Sequence, residues 1–374
     1  MNIILKGQLE FMNKYFEVVG VTGYDEKHFN DCRDREGIRM EVVEMSRTIN
    51  IIKDIKSLIL LYFLFRREKP QIVHSHTPKA GLLGMLAAQL ARVPIRLHTV
   101  GGMPLTEAKG VKRKLLNFIE RLTYHCAHKV YPNSSGLKDI ILVNRFCSES
   151  KLKVIGNGGS NGVDTDYFNS EILINQGVSG QLRHDLGIDN DDFVFCFVGR
   201  IAKEKGILEL IQAFDKLKNR IPHRKVKLLL IGPFEKHYGV LTDDIQQEIL
   251  RHPGIIAPGR FDDVRPYYLI GDVYVFPSYR EGFPNTLLEA GSMGLPSIVT
   301  DINGCNEIIQ NRLNGLIIPP KDSNALFEAM LEIAEDDMLC QSLRANARPH
   351  IEKHFKRELV WNQLLAEYQK FMNK

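Results

Sequence analysis

Along the chain, short runs of apolar and β-branched residues alternate with stretches of helical period. The runs at 17–21, 72–75, 95–99, 129–131 and 153–155 predict strands, and the patterns over 47–68, 79–91 and 111–127 predict helices between them. Strands separated by helices imply crossover units and a parallel sheet. The pattern then restarts at 193–198 and continues through 227–231, 255–256, 273–276, 297–299 and 315–318. These later runs are apolar almost without interruption, as strands covered on both faces are. The chain therefore reads as α/β, with two doubly wound parallel-sheet domains joined by the polar, glycine-rich stretch 156–162. Boundaries are expected at 1–165 and 166–350, with 351–374 a terminal helix returning towards the first domain. A cleft between two such domains is the first place to expect a ligand.

Composition narrows the class. At 374 residues, 44% hydrophobic and 25% charged, the chain matches ordinary globular proteins and neither disordered nor membrane-embedded ones. Cys32, Cys126, Cys147, Cys196, Cys305 and Cys340 are scattered without a CxxC pair, which argues against a disulfide framework and against a thiolate metal site. The expected compartment is the reducing cytosol. The start, Met1 to Lys6, lacks the pattern of a secretion signal. The longest strongly apolar run, 58–65, is far short of the ~20 residues that span a bilayer.

Charge adds an asymmetry. Residues 1–165 carry 25 Lys and Arg against 16 Asp and Glu, or +9, which leaves −5 for the rest of a chain of net charge +4. The basic half suggests an anionic partner, nucleic acid or an anionic membrane surface. Nucleic acid is the weaker choice, because no interleaved aromatic platform or recognition motif accompanies the charge.

Two loops carry candidate chemistry. The run 193–198 leads into Gly199-Arg200-Ile201-Ala202-Lys203-Glu204-Lys205-Gly206 ahead of a helical pattern. A glycine turn at a strand end, with Arg200, Lys205 and a helix start, can hold a diphosphate. Taken alone, it is as readily a solvated connection. The run 273–276 leads into Pro277-Ser278-Tyr279-Arg280-Glu281-Gly282-Phe283-Pro284-Asn285-Thr286-Leu287-Leu288-Glu289, with Pro284 suited to a first helical turn. Glu281 and Glu289 would lie up to ~12 Å apart along a helix, too far for the ~5 Å of a retaining glycosidase pair. They read better as acceptors for hydroxyls at separate points of one extended ligand.

With the stretch 300–309 and Asn314-Gly315, these motifs resemble the donor-binding domain of retaining glycosyltransferases of family 4. The resemblance implies the GT-B fold, two Rossmann-like domains facing across a cleft. It implies that Gly199, Arg200 and Lys205 bind the diphosphate, that Glu281 contacts the donor sugar as a catalytic residue, and that Glu289 binds the ribose. Gly282, Phe283 and Pro284, with the backbone at Asn285, Thr286 and Leu287, would hold phosphate, and Arg260 and Phe261 would meet the base.

The first half resembles the capsule and O-antigen polysaccharide branch of the family through 74–81, 98–104, 131–134 and 156–164. His98 is the nearest match to a cleft histidine of the family, with a strand histidine packed under a loop as the other reading. His74 and His76 form an HxH pair with no third ligand in view; His76 and Lys79 are acceptor-side candidates. The family pattern opens with an apolar strand and a glycine-rich loop, whereas here the first helical pattern begins near Lys6. This implies a start upstream of Met1 or a weakened protein with exposed neighbouring strand edges.

The function implied is transfer of a hexose from a nucleotide diphosphate sugar, a UDP-sugar above all, to a polyprenyl-diphosphate-linked saccharide, without metal or other cofactor. The stretch 109–119, basic and apolar, suggests peripheral contact with an anionic membrane at the inner face of the plasma membrane. A non-catalytic partner that binds nucleotide and a GT-B nucleotide-sugar epimerase are the alternatives.

Overall fold

The computed structural model describes residues 4–45, 50–103, 110–236 and 239–373. The first three residues, residues 47–49, Pro104 and Lys109, all part of stretches quoted above, lie outside the described residues. The chain forms two compact units, Met1–Gly162 with Arg357–Lys374, and Val163–Lys356.

The first unit contains five parallel strands: β1 (Val19–Thr22), β2 (Arg39–Val42), β3 (Ile72–Ser75), β4 (Ile95–Val100) and β5 (Lys129–Pro132). They make two separate ladders among the described residues, β1–β2 and β3–β4–β5. Of the expected strands, 153–155 forms none; only Leu152 bridges to Val130. β2 was not anticipated, since Arg39-Met40-Glu41-Val42 is too short and polar to read as a strand. The helix Arg357–Met372 belongs to this unit. Trp361 Nε1 donates to Asn161 Oδ1 at 2.6 Å, and Lys153 pairs with Glu367 at 2.6 Å.

The helix Gln8–Asn13 starts at Gly7 without a side-chain cap of its own. Its free N–H groups are met from elsewhere: Glu36, almost fully buried, accepts from the Gly7 amide at 2.8 Å and the Glu10 amide at 3.1 Å while pairing with Arg35. Glu36→Ala takes the acceptor from both of these part-buried amides. A loss of about 1–3 kcal/mol in unfolding free energy is expected, to be read from urea denaturation.

In the second unit β6 (Phe193–Val198), β7 (Val226–Ile231), β8 (Ile255–Gly259), β9 (Val273–Phe276), β10 (Ser297–Thr300) and β11 (Gly315–Ile318) form one parallel sheet in the order β11-β10-β9-β6-β7-β8. β6, β9 and β10 are buried at every position, as their uninterrupted apolar sequences require. From β6 the chain moves first to β7 on one side, and β9 lies on the other. The order therefore reverses at β6, and a crevice at the carboxyl ends of β6 and β9 is where a ligand sits in such sheets.

Candidate functional site

The two chemical loops of the second unit meet at that reversal. The loop after β6 ends in a short 3₁₀ turn, Lys203–Lys205, and Gly206, at φ +71°, starts the helix Ile207–Arg220 without a side-chain cap. The loop after β9 ends at Pro284, which starts the helix Asn285–Ser292, also uncapped by any side chain. Each helix thus leaves first-turn N–H groups for a ligand, with the positive end of its dipole behind them.

Hydrogen bonds stitch the loops together. The Tyr279 amide donates to the Glu204 carbonyl at 2.9 Å, and Ser278 Oγ reaches the same carbonyl at 3.2 Å. Lys205 Nζ pairs with Glu281 Oε1, and each side chain is 15% exposed. Ser278 Oγ donates to that carboxylate oxygen at 2.8 Å, and Asn303 Nδ2 donates to the Glu281 carbonyl. The Lys205 ammonium also lies 5.5 Å from the centroid of Phe276. Both ends of the pair are therefore held by the protein itself, and the cation stands beside the crevice where negative charge can be received.

Arg200 pairs with Glu235 and, at 3.3 Å, with Glu204. Glu289 accepts from the Tyr268 hydroxyl at 3.1 Å, which places its carboxylate on the second helix rather than beside Glu281. Gly199, Gly282, Phe283, Asn285, Thr286 and Leu287 lie on the same strand ends and helix start. Arg260 and Phe261 follow β8, two strands out from β6; Phe261 packs on Tyr267 with centroids 4.5 Å apart.

In the first unit His98 lies inside β4, 3% exposed, with Ser75 Oγ 2.9 Å from its Nδ1. It fills the space left by Gly81 of the helix Pro78–Leu90, where a Cβ would come within 2.4 Å of the imidazole. The next residue, Thr99, instead lines a small recess with His76, Asn133 and Ser160 at the carboxyl edge of β3–β5. His76 stacks on His74, centroids 4.2 Å apart, and His74 is held by Tyr368 and Thr99 at 2.6 and 2.8 Å. Lys79 pairs with Asp54 at 2.7 Å. Among the described residues no three His, Cys, Asp or Glu side chains come together as a metal site.

Residues 179–350 match the family model of glycosyl transferases group 1, and residues 16–158 match that of a glycosyl transferase 4-like domain. A capsular polysaccharide biosynthesis glycosyltransferase of Staphylococcus aureus, CapM, is 33% identical over 369 residues, 99% of this chain and 94% of that protein. The chain belongs to glycosyltransferase family 4. A UDP-Gal:α-D-GlcNAc-diphosphoundecaprenol α-1,3-galactosyltransferase of Escherichia coli is 33% identical to this glycosyltransferase over 306 residues, 80% of this chain and 75% of its own. The crystal structure of Anabaena HepE in complex with UDP superposes with a TM-score of 0.80 at 17% identity, over 98% of this chain and 97% of its own. The fold is GT-B, with two Rossmann-like domains.

Several side chains that support these two loops went unassigned at the level of sequence: Ser278, Asn303, Tyr268, Tyr274, Glu204 and Glu235. A signal existed for Tyr274, because a phenol in a fully buried strand needs a partner. Its hydroxyl reaches the Val198 carbonyl at 3.1 Å and Thr286 Oγ1 at 2.9 Å, tying β6 to the second helix start.

Burial pushes His98 down to about 4 and His76 to about 3, against about 6.5 for an exposed imidazole. Below pH 6.5 the unfolded chain takes up protons that the folded one refuses. The stability these groups confer is therefore full above about pH 6.5 and is lost as the pH falls towards 4. At pH 5 the loss from His98 alone is roughly 2 kcal/mol. Urea midpoints at pH 7.5 and pH 5 should show it, and His98→Asn should flatten the dependence.

Proposed function

We propose that this glycosyltransferase moves a hexosyl unit from a UDP-sugar to a polyprenyl-diphosphate-linked saccharide, with retention of anomeric configuration. The observation that carries the reading is the Lys205–Glu281 pair between two uncapped helix starts. As the bond from the anomeric carbon to the diphosphate breaks, charge grows on the leaving oxygen. Lys205, Arg200 and the first-turn N–H groups stabilise that charge without reorganising. The acceptor hydroxyl attacks from the same face, and its proton passes to the leaving phosphate oxygen. Glu281, already bonded to Lys205 and Ser278, acts on the sugar hydroxyls rather than as a nucleophile, and Glu289 takes the ribose. The two cations supply the positive charge, so no metal is required.

Uridine as the base is favoured by the UDP-Gal in the name of the Escherichia coli relative, and a lipid diphosphate acceptor by the diphosphoundecaprenol there. A surface polysaccharide is favoured by the likeness to CapM. Such an acceptor places the enzyme peripherally at the inner membrane face, which the basic first half suits. His76 and Lys79 are the acceptor-side candidates.

Calorimetry with UDP, GDP and the Arg200→Ala variant tests the donor assignment. UDP is expected to bind, GDP more weakly, and Arg200→Ala to lose about 10-fold or more in affinity, as for one charge-assisted contact. Equal binding by the variant would remove Arg200 from the site. Interconversion of the sugar nucleotide without acceptor would instead favour an epimerase.

A further inference from the structure

The helix Ile51–Glu68 turns Ser57, Leu61, Leu64 and Phe65 into the core, yet its opposite side is not polar. Ile52, Ile55, Ile59 and Phe63 recur at spacings of three and four, which aligns them in one stripe. All four are exposed, Ile52 by 82% and Phe63 by 64%. The helix Gly110–Cys126 repeats the arrangement with Val111, Leu115 and Phe118; Val111 is 84% exposed and Phe118 62%. Both helices pack against Pro78–Leu90, so the two helices that carry the stripes share one neighbour.

Charge on these helices is one-sided. Lys53, Lys56 and Arg66 accompany the first stripe, and Lys112, Lys114 and Arg121 the second. The acids are committed inward or to neighbours: Asp54 to Lys79, Glu68 to Arg39 and Arg67, while Glu120 is buried. Aliphatic and aromatic stripes framed by cations are the pattern of helices lying in a lipid headgroup layer. A second copy is a poor occupant, since a two-fold axis would set this basic surface against itself.

We infer that the helices 51–68 and 110–126 form a single docking face for an anionic bilayer, with both apolar stripes seated at the acyl boundary. The inference deepens the reading of a lipid-linked acceptor and rests on it, naming the surface that brings the enzyme to that lipid.

Flotation with phosphatidylcholine vesicles containing about one-third phosphatidylglycerol tests it, beside pure phosphatidylcholine. The variant Ile52→Ser/Ile59→Ser/Phe63→Ser changes exposed side chains alone and should keep UDP binding while its partition falls about 100-fold. Lys112→Glu/Lys114→Glu should lose about 10-fold or more on the anionic vesicles and little on the neutral ones. Equal flotation of wild type and the triple variant overturns the inference, as does no flotation of either. So does a concentration-dependent dimer that the triple variant abolishes. Transfer to a water-soluble short-chain acceptor separates the two readings: its failure with flotation intact removes the proposed reaction and leaves the docking face, and its success without flotation does the reverse.

Discussion

Turnover of a nucleotide sugar should fall about 10²–10³-fold when Lys205 is replaced by alanine, the cost of removing one fixed donor from a developing oxyanion. The magnitude follows from how the ammonium is held. Glu281 and the ring of Phe276 fix its position, so it needs no reorganisation when the diphosphate departs. Lys205→Ala also leaves the Glu281 carboxylate beside the crevice without its cation, where it repels the phosphates. Glu281→Gln loosens the hold on the ammonium without leaving an unpaired charge, so it should lower kcat as well while affecting UDP affinity less than Lys205→Ala does. Lys203, two residues earlier and exposed, is the control, and Lys203→Ala should stay within about 2-fold, as surface substitutions do. Steady-state kinetics with any accepted donor decides the matter. A Lys205→Ala enzyme of unchanged kcat would remove the residue from leaving-group stabilisation.

The second large effect is on folding. Gly206 joins the loop after β6 to its helix at φ +71°, and a Cβ there would lie 2.1 Å from the carbonyl oxygen of Pro277. Two penalties add in Gly206→Ala: the left-handed backbone, and a clash with main chain that cannot rotate away. Together they should cost about 3–5 kcal/mol. Relief of the clash would push the β9 loop outward and pull Glu281 off Lys205, so UDP affinity should fall too. Gly294 separates the terms. It has a similar φ of +83° with open space around the missing Cβ, and Gly294→Ala should cost only about 1 kcal/mol. Denaturant midpoints for the two variants, with UDP calorimetry, measure both parts; equal losses would mean that the loop yields freely.

Much of this was legible from spacing. Phe193-Val194-Phe195-Cys196-Phe197-Val198 could only be a buried strand, while its glycine turn with Arg200 and Lys205 read equally as a ligand loop or a solvated connection. Glu281 lies on the loop before Pro284 and Glu289 inside the helix Asn285–Ser292, on different kinds of backbone. What spacing could not convey was pairing across the sheet. That Lys205 meets Glu281 depends on β9 lying beside β6, a long-range neighbour relation with no local signature. The same gap explains the partners of Arg200, since Glu235 comes from the loop after β7. His98 was ambiguous for a different reason: a histidine on a strand looks alike at a strand end and under a helix, and only the missing Cβ of Gly81 shows where the ring goes. The weak edge strand β2 was missed because four residues with an Arg and a Glu among them carry too little pattern.

The two units also differ in how their interiors are connected. In the second, one continuous cluster runs from Val163 to Phe355 around a single six-stranded sheet. Among its described residues the first divides its apolar interior into three clusters, centred on Tyr124, on Leu97 and Leu364, and on Leu61 and Ala88, around a sheet in two pieces. Cooperativity comes from shared contacts, and three small clusters share fewer than one large one. The amides of β1 and β2 therefore belong to a low-energy opening, those of β6 and β7 to the last one. A heat-capacity trace of this protein is accordingly a sum of events, and its midpoint is not a single equilibrium constant.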